Sequence, residues 1–106
     1  MTDRELLELA AKAACYDVVY ESTYLTFFRQ NVPGRPIWNP LNDDGDALRL
    51  AVKLHLWVGQ HPDDGVTVSD FYGRSEVISE DYNKDSYADT RRAITRAAAE
   101  IGRGTK

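Results

Sequence analysis

The order of apolar and polar positions divides the chain into alternating helical and extended stretches. Over residues 3–14, Leu6, Leu9, Ala10 and Ala13 fall on one face, with Leu7 and Ala14 beside it. Glu5, Glu8 and Lys12 lie largely off that stripe. This is the period of an amphipathic helix packed on something flat. Thr2 and Glu5 stand three apart, the spacing of a capping box. Residues 16–29 change character: Tyr16, Val18, Val19, Tyr20, Thr23, Tyr24, Leu25, Thr26, Phe27 and Phe28 are mostly β-branched or aromatic. Such side chains suit a pleated, half-buried surface, so the segment reads as one long strand or two joined near Glu21-Ser22. Asn31-Val32-Pro33-Gly34 is a turn signal. A short strand through Ile37-Trp38 can pair back, at an edge or straight after the turn, because Pro36 has no amide hydrogen.

A second helix is expected over about 43–54, with Asn42 or Asp43 as N-cap and Ala47, Leu48, Leu50, Ala51 and Leu54 as its apolar face. Strands return at His55-Leu56-Trp57-Val58 and, after the turn Pro62-Asp63-Asp64-Gly65, at Val66–Ser69, where apolar and polar residues alternate. Tyr72-Gly73 marks another tight turn, and Val77-Ile78 a weaker strand. The third helix should start near Asp85 or Ser86 and run to Ile101, with Tyr87, Ile94, Ala97, Ala98 and Ile101 facing inward. Gly102 reads as its stop, with Gly104-Thr105-Lys106 fraying beyond it. The pattern predicts an α+β fold in which three helices pack on a mainly antiparallel sheet, in the order α-β-β-α-β-β-β-α.

Composition narrows this picture. At 106 residues the chain has room for one domain, 1–106, around one core. With 42% hydrophobic and 28% charged residues it is ordinary globular material. No apolar run reaches the ~18 residues of a membrane span, and no signal peptide is readable at Met1–Glu5. The expected compartment is therefore the cytoplasm. The single cysteine, Cys15, excludes an internal disulfide framework and a cysteine-based zinc site. It follows a helix rather than opening one, so it lacks the dipole that activates a thiol and reads as a buried or half-buried packing residue.

Chemistry-bearing motifs are sparse. Asn42, Asp43, Asp44 and Asp46 suggest a calcium loop, but the alternating EF-hand spacing fails and no closing glutamate follows. Helix capping accounts for the same residues. His55 and His61 have no metal-ligand spacing, and no glycine pattern forms a phosphate loop. The reading is a non-enzyme with no cofactor and no metal.

Charge is unevenly spread. Residues 1–90 hold 16 acids and 8 bases, whereas residues 91–106 hold 1 acid and 5 bases, within a net charge of -4. Arg92 and Arg96 share a helical face, which reads either as complement to the helix dipole with ion pairs to the acidic body, or as an anion-binding ridge. The acidic total argues against general DNA affinity. The aromatic residues of 16–28 could stack bases or bind protein, but core packing is the simpler reading. Asp63 and Asp64, in a turn outside any recognisable motif, are expected to steer a basic partner.

Three blocks carry a family likeness: Arg4–Ala10, Trp38–Leu54 (which includes Trp38-Asn39-Pro40-Leu41-Asn42-Asp43-Asp44-Gly45-Asp46) and Tyr87–Ile101. Together they resemble the phage ABA sandwich domain, a family of small tailed-phage and prophage proteins. The resemblance implies stacked helices and sheet, a phage-encoded accessory role in the host bacterial cytoplasm, and no catalytic residues. The function expected from it is binding of a host or phage protein or ribonucleoprotein complex, with steric anti-defence (anti-CRISPR-like) inhibition as one form. The alternative is a module that sequesters a nucleotide-type anion through Arg92, Arg96 and tyrosine stacking. Residues 16–36 and 55–85 lie outside the blocks and would hold any private function.

Overall fold

In a computed structural model, which describes residues 1–83 and 85–105, Thr2 caps helix α1 (Asp3–Ala13) through a reciprocal capping box with Glu5. The helix ends where Tyr16 donates to the Ala11 carbonyl at 2.9 Å and Cys15 to that of Lys12 at 3.2 Å. This closure needs a left-handed residue, and Cys15 supplies it at φ 59°. That position faces outward, so Cys15 is exposed and not the packing residue its sequence context suggested.

The aromatic segment forms two strands, β1 (Val18–Glu21) and β2 (Thr26–Arg29), joined by a turn, with β3 (Ile37–Trp38) added antiparallel to β2. Helix α2 (Asp44–Leu54) is capped by Asp43, whose carboxylate accepts from the Asp46 amide at 2.8 Å. His55 ends it in the left-handed conformation, φ 57°, so it caps the helix instead of opening the next strand. A second antiparallel sheet follows: β4 (Leu56–His61), β5 (Gly65–Asp70) and β6 (Ile78–Asp81). Asp85 caps the last helix, α3 (Ser86–Arg103).

The fold is α+β, as the pattern predicts, with two differences in arrangement. Residues 16–29 take the two-strand alternative, so three strands precede α2 where the expected order counted two, and the strands form two separate three-stranded sheets in the orders β1-β2-β3 and β4-β5-β6. Glycine at 102 does not stop α3. The helix continues to Arg103, because Gly102 sits where α3 crosses α1 and its missing side chain lets the Leu9 backbone approach. Of the expected terminal fraying, Lys106 lies outside the described residues.

One cluster of buried residues joins all the layers. Ala10, Ala11 and Ala14 of the first helical segment meet Ala93, Ala97 and Ala98 of α3, so small side chains let the two helices pack closely. Leu50 and Leu54 of α2, Val66 and Val68 of β5, and Ile78 of β6 fill the middle. Phe27 and Trp38 bring the first sheet into the same core. Two residues assigned to apolar faces by periodicity point elsewhere: Leu48 and Tyr87 are exposed. Both lie at the margin of their helices' buried stripes, next to the second sheet.

Candidate functional site

A cluster of exposed aromatic rings is built where α2 hands over to the second sheet. Trp57, Phe71 and Tyr72 are 64%, 58% and 59% exposed, and Val52 lies beside them on α2. Alternation along β4 buries Leu56 toward the helices and turns Trp57 to the opposite face. Phe71 follows the end of β5. The rings contact edge to face: Trp57 and Phe71 at 5.8 Å between centroids, Phe71 and Tyr72 at 5.0 Å, and His55 and Tyr72 at 5.7 Å. Such contacts hold large side chains in fixed positions without burying them.

A polar knot beneath them fixes the turn that carries Phe71 and Tyr72. The Asp70 side chain is fully covered. It accepts from the Tyr72 amide at 3.1 Å and the Arg74 amide at 2.6 Å. It also takes both arms of the Arg74 guanidinium, each at 2.9 Å. Arg74 then donates onward to the Leu54 carbonyl at 2.8 Å, tying the turn to the end of α2. Gly73, at φ 71°, closes the turn. The Arg74 hydrogen bonds, with help from the two amides, hold the Asp70 carboxyl below its ordinary value of 3.8, and Asp70 in turn raises Arg74.

Asp70→Asn is therefore expected to cost about 2 kcal/mol in urea unfolding at pH 7, from the loss of charge-assisted bonds around a covered carboxylate. The sign with pH follows from linkage. In acid the unfolded chain protonates Asp70 first, so it binds more protons than the native state and stability rises with pH. The contribution is complete well above 3.8 and is lost as pH falls through the lowered native value. The stability gap between wild type and Asp70→Asn should close on titration from pH 7 into that acid range. A constant gap would remove the ion pair as its cause.

The residues singled out in the sequence lie elsewhere. Arg92 and Arg96 share a small cleft with Ile78, Glu80, Glu100 and Arg103. Arg92 pairs with Asp3 at 3.1 Å, and Arg96 with Glu80 at 3.0 Å. An anion entering there would displace these carboxylates. Asp63 and Asp64 are exposed at the tip of the β4–β5 hairpin. That tip is the far end of the strands from Trp57 and Phe71, about 20 Å along a six-residue strand.

The acids of the α2 entry are used structurally. Asp43 caps, Asp44 takes Arg91 at 2.6 Å, and Asp46 binds the Asn39 amide at 2.9 Å and Arg49 at 2.7 Å. Among the described residues, no group of three or more His, Cys, Asp or Glu side chains is placed to hold a metal. The ring of His61 lies against the Thr67 hydroxyl at 3.3 Å, and that of His55 packs on Tyr72.

The aromatic surface was missed in the sequence because its members come from α2, β4 and the loop after β5. Its one local sign is the sequence Asp70-Phe71-Tyr72-Gly73, two aromatics inside a turn. Among the described residues, no helix is long and apolar enough to cross a membrane. No family model, no curated protein and no solved structure matches the chain.

Proposed function

We propose that the chain is a non-enzymatic accessory protein that binds a macromolecular partner through the Trp57–Phe71–Tyr72 surface. The observation that carries this reading is the group of three large rings, each more than half exposed, two of them on the turn that the Asp70–Arg74 knot fixes. Leaving them in water forgoes burial free energy, and holding them rigid lowers the entropic cost of binding. Tryptophan and tyrosine are also the residues that most often dominate a protein interface.

The assignment to phage rests on the resemblance of the three helical blocks to the phage ABA sandwich domain. It carries with it the bacterial cytoplasm as the place of action. Within that reading, an inhibitor would act sterically, by covering a site that otherwise takes nucleic acid or another subunit.

The test is co-purification from phage-carrying bacteria, followed by titration with the purified partner. Phe71→Ser/Tyr72→Ser is expected to weaken binding about 30-fold or more, the effect of losing a hot spot. Tyr24→Ser, which alters an exposed ring on the first sheet, should leave binding unchanged. Equal affinity for wild type and the double variant, both folded, would overturn the proposal.

A further inference from the structure

Position 29 brings a charge to the inner face of the first sheet. Arg29 stands on the same side of β2 as buried Phe27, opposite Val18 in the β1–β2 register. The residue is half-buried, and its guanidinium carbon lies 3.9 Å from the centre of the Tyr16 ring. Tyr16 is itself held edge-on against buried Trp38 at 5.9 Å. A guanidinium stays charged at any ordinary pH, and taking it out of water is costly unless hydrogen bonds and a countercharge replace the water. An aromatic face answers only part of that cost.

The rest is unanswered among the described residues. Every other arginine has a carboxylate within 4 Å, whereas Arg29 has none, in a chain with 17 acids. Its Nε is buried with no hydrogen-bond partner. The terminal nitrogens Nη1 and Nη2 are then the donors left to meet a countercharge. Arg29 lines an open cleft of about 490 Å³ between β2–β3 and the first turns of α2. Thr26, Asn39 and Asn42 bring neutral polar groups to it, and Pro36 and exposed Ile37 an apolar wall. The two acids of the cleft are already engaged. Asp46 accepts from the Asn39 amide at 2.9 Å and from Arg49 at 2.7 Å, while Asp43 caps α2. Lys53 stands over the same Tyr16 ring at 5.2 Å. Arg29, Arg49 and Lys53 set against Asp43 and Asp46 leave one positive charge unmatched.

We propose that this cleft binds a small organic monocarboxylate, with its two oxygens on the Arg29 guanidinium and its carbon chain against Pro36 and Ile37. A carboxylate matches the guanidinium fork through two parallel N–H···O bonds. Its single negative charge completes the local balance. The second charge of a phosphate would instead face Asp43 and Asp46 at close range. The cleft is of the size that small-molecule sites usually have. The site is built on the first sheet and α2, and it does not depend on the partner reading of Trp57, Phe71 and Tyr72.

Nuclear magnetic resonance titration of the intact chain with sodium butyrate at pH 7 tests it, with sodium chloride and inorganic phosphate as matched controls. Butyrate should shift the Arg29 Nε–H signal and the amides of Thr26 and Asn42 along one saturable curve, with a Kd on the order of a few millimolar. Phosphate and chloride should give no saturable shift. Arg29→Lys, which keeps the charge and loses the fork, should weaken binding about 5-fold, and Lys53→Met about 3-fold. Arg29→Met should abolish binding. Without butyrate it should melt at or above the wild-type temperature, because it removes an unpaired charge and keeps a side chain on the Tyr16 ring. No saturable shift at 100 mM butyrate, phosphate bound as tightly as butyrate, or Arg29→Met binding like wild type would each overturn the proposal. Arg29→Met melting well below wild type would assign the guanidinium to the fold and overturn it too. Shifts at these residues with an acidic peptide but not with butyrate would assign the cleft to a partner chain, and would equally overturn it.

Discussion

Alanine at Gly102 is expected to destabilise the protein by about 3 kcal/mol, although alanine is the better helix former by about 1 kcal/mol. The reason is tertiary. A β-carbon built there falls well inside contact distance of the Leu9 carbonyl oxygen and 2.8 Å from the carbon that bears it. Both obstacles are backbone, so no rotamer change relieves them and α1 must move away from α3. That movement would open the alanine seam, where Ala10, Ala93 and Ala98 are fully buried. Gly104 provides the control. It follows the same helix with ordinary φ of -82°, and the nearest atom to an added β-carbon is 3.7 Å away. Gly104→Ala should leave stability unchanged or slightly raised. Urea unfolding of the two variants should therefore give opposite signs. Matching effects would mean that the helix crossing is not what requires glycine at 102.

Trp38→Ala should cost about 4 kcal/mol, a large part of the 5–15 kcal/mol available to a domain of this size. Trp38 is 2% exposed and belongs to a strand of only two residues, so the ladder alone cannot hold it. Its ring packs edge-on against Tyr16 at 5.9 Å and stands opposite Phe27 in the β2–β3 register. Tyr20 rests on Phe27 in turn, at 5.0 Å. Removing the indole leaves the first sheet joined to the core mainly through Phe27 and Tyr16, and a cavity of this size is not closed by side-chain relaxation. The melting temperature should fall by roughly 20 °C, since each kcal/mol shifts a domain of this length by several degrees. Loss of near-ultraviolet ellipticity before far-ultraviolet ellipticity would show the first sheet detaching ahead of the helices. A fall of less than about 5 °C would mean that this sheet folds without the indole.

Much of the fold was legible along the chain because its determinants are local. The capping box of Thr2 and Glu5, the Asp43 cap and the Asp85 cap each lie within three residues of the groups they satisfy. The alternation through Val66–Ser69 reports a strand with one buried face, and that face is buried. Turns form at Pro62–Asp64 and at Tyr72-Gly73, where proline and glycine mark them, and Gly73 supplies the left-handed angle, φ 71°. The errors also have local causes. Periodicity gives the direction of a helix's apolar face but not its width. It therefore assigned Leu48 and Tyr87 to the core, while the structure leaves both exposed in a groove beside β4. Gly102 carries the sequence mark of a helix end, and its actual role depends on Leu9, more than ninety positions away.

The candidate sites divide along the same line. Composition could identify arginines in the last helix and acids in a turn. It could not show that Arg92 and Arg96 already hold Asp3 and Glu80, because those pairs span 89 and 16 residues. Nor could it gather Trp57, Phe71 and Tyr72 beside Val52, or reveal that β4 lies at an edge of its sheet. By itself the sequence determined the α+β class, the three helices with their caps, and the turns, since hydrogen bonds and dihedral preferences within a few residues decide these. The separation into two sheets, the crossing at Gly102 and the exposed aromatic surface were decided only in three dimensions. They depend on which strand ends beside which helix, and that is settled by packing between residues far apart in the chain.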